Sequence, residues 1–312
     1  MKISDKVSVV APARLHLGFM DLNGSLGRKF GSVGMAIDSI ETDIIVSKIP
    51  LANRSDVSKN NKRAHEYAQL ILKAYELEES VSIKINKSIP EHSGLGSGTQ
   101  LALAVGSAVS KLFNLNLSLM DIGKILDRGN RSGIGIGAFE HGGFLIDGGK
   151  GKSDDLPQIT VRHNFPDNWR IVLLINQREK GLHGKKEFNA FKTLKPFPIN
   201  KAEKLCHLVN MVILPSIVEK NFRDFACGIG TLQQIVGTHF APIQGGVYSN
   251  PDIARIMNFV ENKGFTGIGQ SSWGPTGFIL TDSDTSAHNL VCLLYTSPSP
   301  RDQRGSRMAG SG

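Results

Sequence analysis

Apolar and polar residues alternate from Val7 into Ala11-Pro12-Ala13-Arg14-Leu15-His16-Leu17-Gly18. This predicts a strand with Leu15 and Leu17 on one face and the cationic or titratable Arg14 and His16 on the other. Ala64, Tyr67, Ala68, Ile71 and Tyr75 recur at helical spacing, and Val81, Ile83 and Ile85 then alternate as a half-buried strand. That strand leads into a glycine-rich segment, residues 90–99, and an Ala- and Leu-rich helix is expected over 99–113. In the second half, residues 171–175 form a short continuous apolar run of the kind found in a fully buried strand. Three helical stripes follow. Leu205, Leu208, Val209, Val212 and Ile213 make the first, with Pro215 expected to kink or end it. Phe222, Phe225, Ala226, Ile229, Leu232 and Val236 make the second, and Ile253, Ile256, Met257 and Val260 the third. Gln244-Gly245-Gly246-Val247-Tyr248 reads as a turn entering a strand, residues 277–280 as a strand, and residues 284–290 as the start of a helix. Strands and helices mix without a regular βαβ repeat, which predicts an α+β fold in two domains, 1–166 and 167–291.

Composition narrows the class. The chain has 312 residues, of which 40% are hydrophobic and 7% aromatic. A chain of this length can bury roughly three quarters of its unfolded surface and needs no staples. No apolar run approaches the ~18 residues of a membrane span, and the first residues, with Lys2, Asp5 and Lys6, lack the apolar core of a secretory signal. Cys206, Cys227 and Cys292 share no metal-ligand spacing and make no even disulfide set, which fits a reducing, cytoplasmic setting. The 36 Lys and Arg exceed the 28 Asp and Glu by eight. These bases are scattered and lack interleaved aromatics, which points to anionic small molecules as partners, with no nucleic acid and no membrane. Residues 292–312 stand apart. They are rich in Ser, Pro, Gly and Arg, cannot build a core, and resemble translated sequencing-adapter read-through that begins as early as Cys292, a natural disordered tail being the alternative.

Chemistry concentrates in Pro90-Glu91-His92-Ser93-Gly94-Leu95-Gly96-Ser97-Gly98-Thr99, between a predicted strand and a predicted helix. Glycines permit close backbone approach, and the first N–H groups of a helix point outward with the positive end of its dipole, so the segment is a candidate phosphate cradle. Ser97 and Thr99 offer hydroxyls to phosphate or to a metal. The segment matches neither the P-loop nor the dinucleotide fingerprint, and a purely structural strand-to-helix turn is the other reading.

Pro-x-x-x-Gly-Leu-Gly-Ser-Gly before an Ala-rich helix resembles the phosphate loop of the GHMP kinase superfamily. The strand at residues 11–18 and the loop Gly267-Ile268-Gly269-Gln270-Ser271-Ser272-Trp273-Gly274-Pro275-Thr276-Gly277 agree in order and spacing. The resemblance implies a ribosomal-S5-domain-2-like N-terminal domain and a ferredoxin-like C-terminal domain. One segment departs from the kinases. Gly129-Asn130-Arg131-Ser132-Gly133-Ile134-Gly135 resembles their Gly-Asn-Pro-Ser-Gly-Val-Asp, whose Asp orients or deprotonates the attacking hydroxyl, and here that position is Gly135. Their strand lysine is also absent, with Arg14 nearest to it.

These departures, with Arg14 to Gly18, Asp21, Gly27-Arg28, Gly181-Leu182-His183-Gly184 and the Gln270-Ser271-Ser272-Trp273 loop, resemble one branch, the β-ribofuranosylaminobenzene 5'-phosphate synthases. The likeness implies a pentosyltransferase that joins phosphoribosyl pyrophosphate to 4-aminobenzoate or 4-hydroxybenzoate, with loss of carbon dioxide and pyrophosphate, in tetrahydromethanopterin biosynthesis. It further implies Mg²⁺ with the pyrophosphate, no ATP, and a homodimer. On this reading Gly94, Gly96, Ser97, Gly98 and Thr99 hold phosphate. Arg14, His16 and Arg28 hold the aromatic carboxylate or the 5'-phosphate, and Ser97 and Asp21 are the metal candidates. Glu140, beside His141, could orient ribose or metal or belong to an ordinary turn. His16 has a structural hydrogen-bonding role as its other reading, Trp273 has packing, and Asp21 could merely begin a loop. The competing functions are an ATP-dependent small-molecule kinase and a catalytically inert binding protein.

Overall fold

The computed structural model describes residues 5–49, 61–153, 155–176 and 194–296. The N-terminal alternation belongs to β1 (Lys6–Asp21), which pairs antiparallel with the twenty-residue β2 (Phe30–Ile49). The hydrophobic pattern predicts no strand over β2, because the polar run at Asp38, Ser39 and Glu41 interrupts it and Ser39 takes φ +69°. Register shifts in β1 fall between Pro12 and Ala13 and between His16 and Gly18. An irregularity of this kind bends a strand and re-aims its side chains. Leu15, His16 and Leu17 are consequently buried in succession, and His16 does not share a solvent face with Arg14 as strict alternation predicts.

β3 (Ser80–Lys87) and β4 (Phe144–Asp147) both pair with β2, at opposite ends of it, and β5 (Ile159–His163) completes a five-stranded sheet by pairing with β4. α1 (Lys62–Ala74), α2 (Ser97–Leu112), α3 (Leu119–Ile125) and α4 (Ile134–His141) pack with this sheet. Ala11, Ile44, Val46, Ile71, Ile83, Leu103 and Val105 are among the residues of the core formed there.

A second sheet has the order β6 (Arg170–Leu174), β8 (Gly277–Thr281), β7 (Ile268–Gln270). β8 is central and buried throughout, whereas β6 is an edge strand and only half-buried, which corrects the expectation that its apolar run marks a fully buried strand. α5 (Ile199–Leu208) continues through a π-helical stretch, Val209–Ile213, into α6 (Leu214–Val218), where Pro215 occupies the first turn. Proline lacks an N–H and clashes with the preceding turn. The expected break is therefore a widening of the helix just before it. α7 (Phe222–Gln244), α8 (Pro251–Glu261) and α9 (Asp284–Thr296) follow. The segment after Gln244 turns into α8 and not into a strand, and α9 runs past Cys292, where the helical pattern was expected to stop. Among the described residues no helix is long and apolar enough to cross a membrane.

The largest core cluster joins the two sheets. Leu15, Leu17, Met35 and Phe144 of the first meet Leu205, Ile213, Phe225, Ile229 and Phe278 of the second, with Phe144 and Phe225 edge to face at 5.6 Å. Truncating a fully buried phenylalanine such as Phe225 costs about 3–5 kcal/mol, so this shared core sets the relative position of the loops that converge above it.

Candidate active site

The glycine-rich segment forms the predicted strand-to-helix turn. Gly96 is the N-cap of α2 with φ +86°, a conformation that disfavours a side chain, and no side chain caps the helix. Thr99 N–H already bonds back to the Gly96 carbonyl at 3.0 Å, so of the leading N–H groups of α2 those of Ser97 and Gly98 are left for a ligand or water. Arg14 supports the loop from β1. Its Nη1 donates to the Gly94 carbonyl at 2.5 Å and its backbone N–H to the Leu95 carbonyl at 3.0 Å. Arg14 is therefore a frame for the cradle as well as a cation beside it.

Two further cations lie here that sequence reasoning missed. The Arg63 guanidinium lies over Gly98, where a Cβ would fall 2.4 Å from Nη2. Arg63 Nε donates to the Tyr67 hydroxyl at 2.9 Å and Arg128 Nη2 to the same oxygen at 2.7 Å. Both guanidiniums also stand over the Tyr67 ring, at 5.7 and 5.5 Å from its centroid. Among the described residues neither forms an ion pair with a carboxylate. The only sequence signal was the place of Arg128 next to Gly129.

The segment at Gly129 to Gly135 comes to the same place. A Cβ on Gly135 would lie 2.9 Å from the Thr99 methyl, and the buried Gln100 amide donates to the Gly135 carbonyl at 2.8 Å. The carboxylate packed at the start of this segment is Asp147, and it is enclosed. It accepts from the backbone N–H of Ser32, Gly133 and Gly149 and from the hydroxyls of Ser32 and Ser132. Burial pushes its pKa up, while these donors pull it back.

The loop after β7 closes the site from the other side. The Ser271 hydroxyl accepts from the His16 N–H at 3.1 Å and donates to the Gly94 carbonyl at 2.7 Å. Ser272 N–H donates to the His16 carbonyl at 3.2 Å, and Thr276 N–H to that of Ser93 at 3.3 Å. Gln270 accepts from the Ser249 N–H at 2.7 Å and donates to the Ser272 carbonyl at 3.1 Å. Trp273 is buried, with its ring 4.5 Å from Phe240. Ser271 and Gln270 thus hold loops together, whereas Ser272 is exposed. A cavity bounded by β1, α7 and this loop is lined by His16, Phe19, Val236, Phe240, Val247, Gln270, Ser272 and Trp273, among others. His16 has its pKa lowered to about 3 by burial and by the neighbouring Arg14 charge, so it is neutral near pH 7.

Comparison with known proteins agrees with this geometry. Residues 62–143 match the model described as GHMP kinases N terminal domain, and residues 213–292 the GHMP kinases C terminal model. The beta-ribofuranosylphenol 5'-phosphate synthase of Methanocaldococcus jannaschii is 38% identical over 88% of this chain and 89% of its own length. The chain belongs to the beta-ribofuranosylphenol 5'-phosphate synthase family. A synthase of the same name from Archaeoglobus fulgidus is 34% identical over 88% of this chain and 87% of its own. L. major mevalonate kinase shares the fold, with a TM-score of 0.68 over 95% of this chain and 94% of that one at 14% identity.

Within this family member three other expected site residues lie apart from the cradle. Arg28 is exposed and donates to the carbonyls of Gly148 and Gly149, at 2.7 and 2.8 Å, which fastens the end of β4. Asp21 Oδ1 accepts from the N–H groups of Asn23 and Gly24, so its carboxylate closes a turn. Glu140 is exposed in the last turn of α4, 3.5 Å from His141, and five residues of helix carry it about 7.5 Å beyond Gly135. Among the described residues no cluster of three His, Cys, Asp or Glu could hold a metal. That donor set suits a Mg²⁺ ion carried in on phosphate oxygens, with Ser97 and Thr99 as hydroxyl contacts, and does not suit a cation held by protein alone. Gly181-Leu182-His183-Gly184 lies outside the described residues.

Proposed function

We propose that this chain is a pentosyltransferase that joins phosphoribosyl pyrophosphate to 4-hydroxybenzoate or 4-aminobenzoate, releasing carbon dioxide and pyrophosphate in the route to tetrahydromethanopterin. The observation that carries the reading is Gly135, which faces Thr99 of the phosphate loop with a hydrogen where a base would stand. Base-assisted phosphoryl transfer needs a proton acceptor at that point. The condensation needs none. The ring carbon bearing the carboxylate bonds to the ribosyl carbon, the bond to pyrophosphate breaks with its electron pair, and carbon dioxide leaves in place of a proton.

What such a reaction asks of the protein is stabilisation of the leaving pyrophosphate. The N-terminus of α2, Arg63 and Arg128 supply positive charge, and among the described residues no carboxylate pairs with either guanidinium. When bound, Mg²⁺ would neutralise further charge on the pyrophosphate. The relatives' name specifies a phenol, which favours 4-hydroxybenzoate as the acceptor.

The test incubates the purified protein with phosphoribosyl pyrophosphate, Mg²⁺ and either acid. Pyrophosphate and carbon dioxide should appear in equal amounts. ADP formed from ATP with a sugar or amino alcohol, and no pyrophosphate in the first assay, would replace this reading with an ATP-dependent small-molecule kinase.

A further inference from the structure

Tyr67 lies on α1 one helical turn after Arg63, and its ring is packed into the core with Ala64, Ala68 and Ile71. The residue is only 5% exposed. Its hydroxyl oxygen accepts from Arg63 Nε at 2.9 Å and from Arg128 Nη2 at 2.7 Å, and it faces the Gly98 carbonyl of the phosphate loop at 3.5 Å. The ring carries the same two guanidiniums, with their Cζ atoms 5.7 and 5.5 Å from its centroid. One buried tyrosine thus fixes two arginines, from α1 and from the turn after α3, beside the first turn of α2.

Two guanidiniums that share one acceptor repel each other, and a neutral hydroxyl does not offset their charge. Among the described residues neither pairs with a carboxylate. The acidic neighbours along the chain are engaged elsewhere, since Glu66 pairs with Lys62 at 3.9 Å and Asp127 accepts from the Asn130 amide. An anion would complete the arrangement. Its place is marked by the Ser97 and Gly98 N–H groups and by Arg63, whose Nη2 lies 2.4 Å from where a Gly98 Cβ would stand. All four residues are half-buried and so reach solvent. Each arginine gives one nitrogen to Tyr67, which leaves Arg63 both of its Nη atoms and Arg128 its Nη1 to meet the ligand.

Resting on the transferase reading, we infer that Tyr67 is a positioning residue for the leaving group: it holds Arg63 and Arg128 as a pair against the N-terminus of α2, where together they receive the pyrophosphate of phosphoribosyl pyrophosphate. As the ribosyl–oxygen bond breaks, its electron pair departs on the pyrophosphate oxygen. Negative charge therefore grows where two guanidiniums already stand. A free arginine would have to give up its rotamer freedom at that moment. Burial of Tyr67 fixes both side chains beforehand, so the stabilisation needs no reorganisation during reaction.

The test is calorimetric titration of inorganic pyrophosphate, with Mg²⁺ present, into the wild-type protein and its variants. Tyr67→Phe keeps the ring and deletes only the hydroxyl, and it should lower affinity about tenfold. It should raise KM for phosphoribosyl pyrophosphate by a similar factor and leave KM for the aromatic acid unchanged. In a background that carries Arg63→Ala and Arg128→Ala, adding Tyr67→Phe should alter affinity by no more than about twofold, because Tyr67 acts only through those arginines. Arg63→Lys keeps the charge but cannot serve Tyr67 and the anion together, so it should weaken binding nearly as much as Arg63→Ala. That arm stands even if Tyr67→Phe does not fold. Unchanged affinity in Tyr67→Phe, an undiminished loss in the background lacking both arginines, or full affinity in Arg63→Lys would overturn the inference. Any of these results beside pyrophosphate release by the wild-type protein would sink this assignment alone. The expected binding pattern without release in the presence of either acid would support the role of Tyr67 and sink the transferase reading.

Discussion

Replacing Gly94 with alanine tests whether the phosphate loop and the loop after β7 are held at backbone contact. Gly94 has φ +85°, and a Cβ there would stand 2.4 Å from the Ser271 carbonyl oxygen and 3.2 Å from that of Gly274. Both neighbours are backbone, so neither can swing aside. Gly245, at the C-terminus of α7, has the same φ and nothing within 4 Å of its Cβ position. The left-handed backbone costs an L-residue about 1–2 kcal/mol at both sites. Forced overlap adds about 1–3 kcal/mol at Gly94 alone. Gly94→Ala should therefore lower Tm by roughly twice as much as Gly245→Ala, with the excess on the order of 2–6 °C for a chain of this size. It should also raise KM for phosphoribosyl pyrophosphate, because parting the loops breaks the bonds through Ser271. Thermal unfolding followed by circular dichroism measures the first effect and initial-rate kinetics the second. Equal Tm losses in the two variants would refute the close approach, and with it the coupling between the halves of the site.

Removing Arg63 or Arg128 by Ala substitution should raise KM for phosphoribosyl pyrophosphate about ten- to a hundredfold and orphan no carboxylate among the described residues; unchanged KM in both would remove them from the site. Glu140→Gln should leave pyrophosphate release within about twofold, because the carboxylate is exposed beyond Gly135; a loss of a hundredfold would make it a general base and contradict the base-free reaction. Burial of His16 makes stability depend on pH. Its folded pKa of about 3 lies below the ordinary 6.5, so the unfolded chain takes the proton first as pH falls. The contribution is complete above pH 6.5 and is lost between about 6.5 and 3, by at most roughly 1.4 kcal/mol per pH unit. Urea midpoints at pH 7 and pH 5 should fall less in His16→Phe than in the wild-type protein, and an identical fall would contradict the neutral, buried imidazole.

By itself the sequence determined what depends on neighbouring residues. The phosphate loop was legible because a strand, a glycine cluster and an apolar helix follow one another within some thirty residues, and each is set by local periodicity and backbone freedom. The helices α7 and α8 were legible for the same reason, and Gly135 could be matched by position to the place of a missing base. Tertiary structure decided which of the candidate side chains face one another. Arg63 lies on α1 and Arg128 in the turn after α3, and they meet only because Tyr67 lies between them. Alternation put His16 on the polar face with Arg14, but a register shift in β1 and a loop 255 residues away enclosed it, and burial keeps it neutral. Arg28, Asp21 and Glu140 were drawn instead to nearby backbone or to solvent. Periodicity reports which face of an element is apolar. Whether a polar side chain on that element meets substrate, a carbonyl or water depends on what packs across from it, and that is settled only when distant segments share a core.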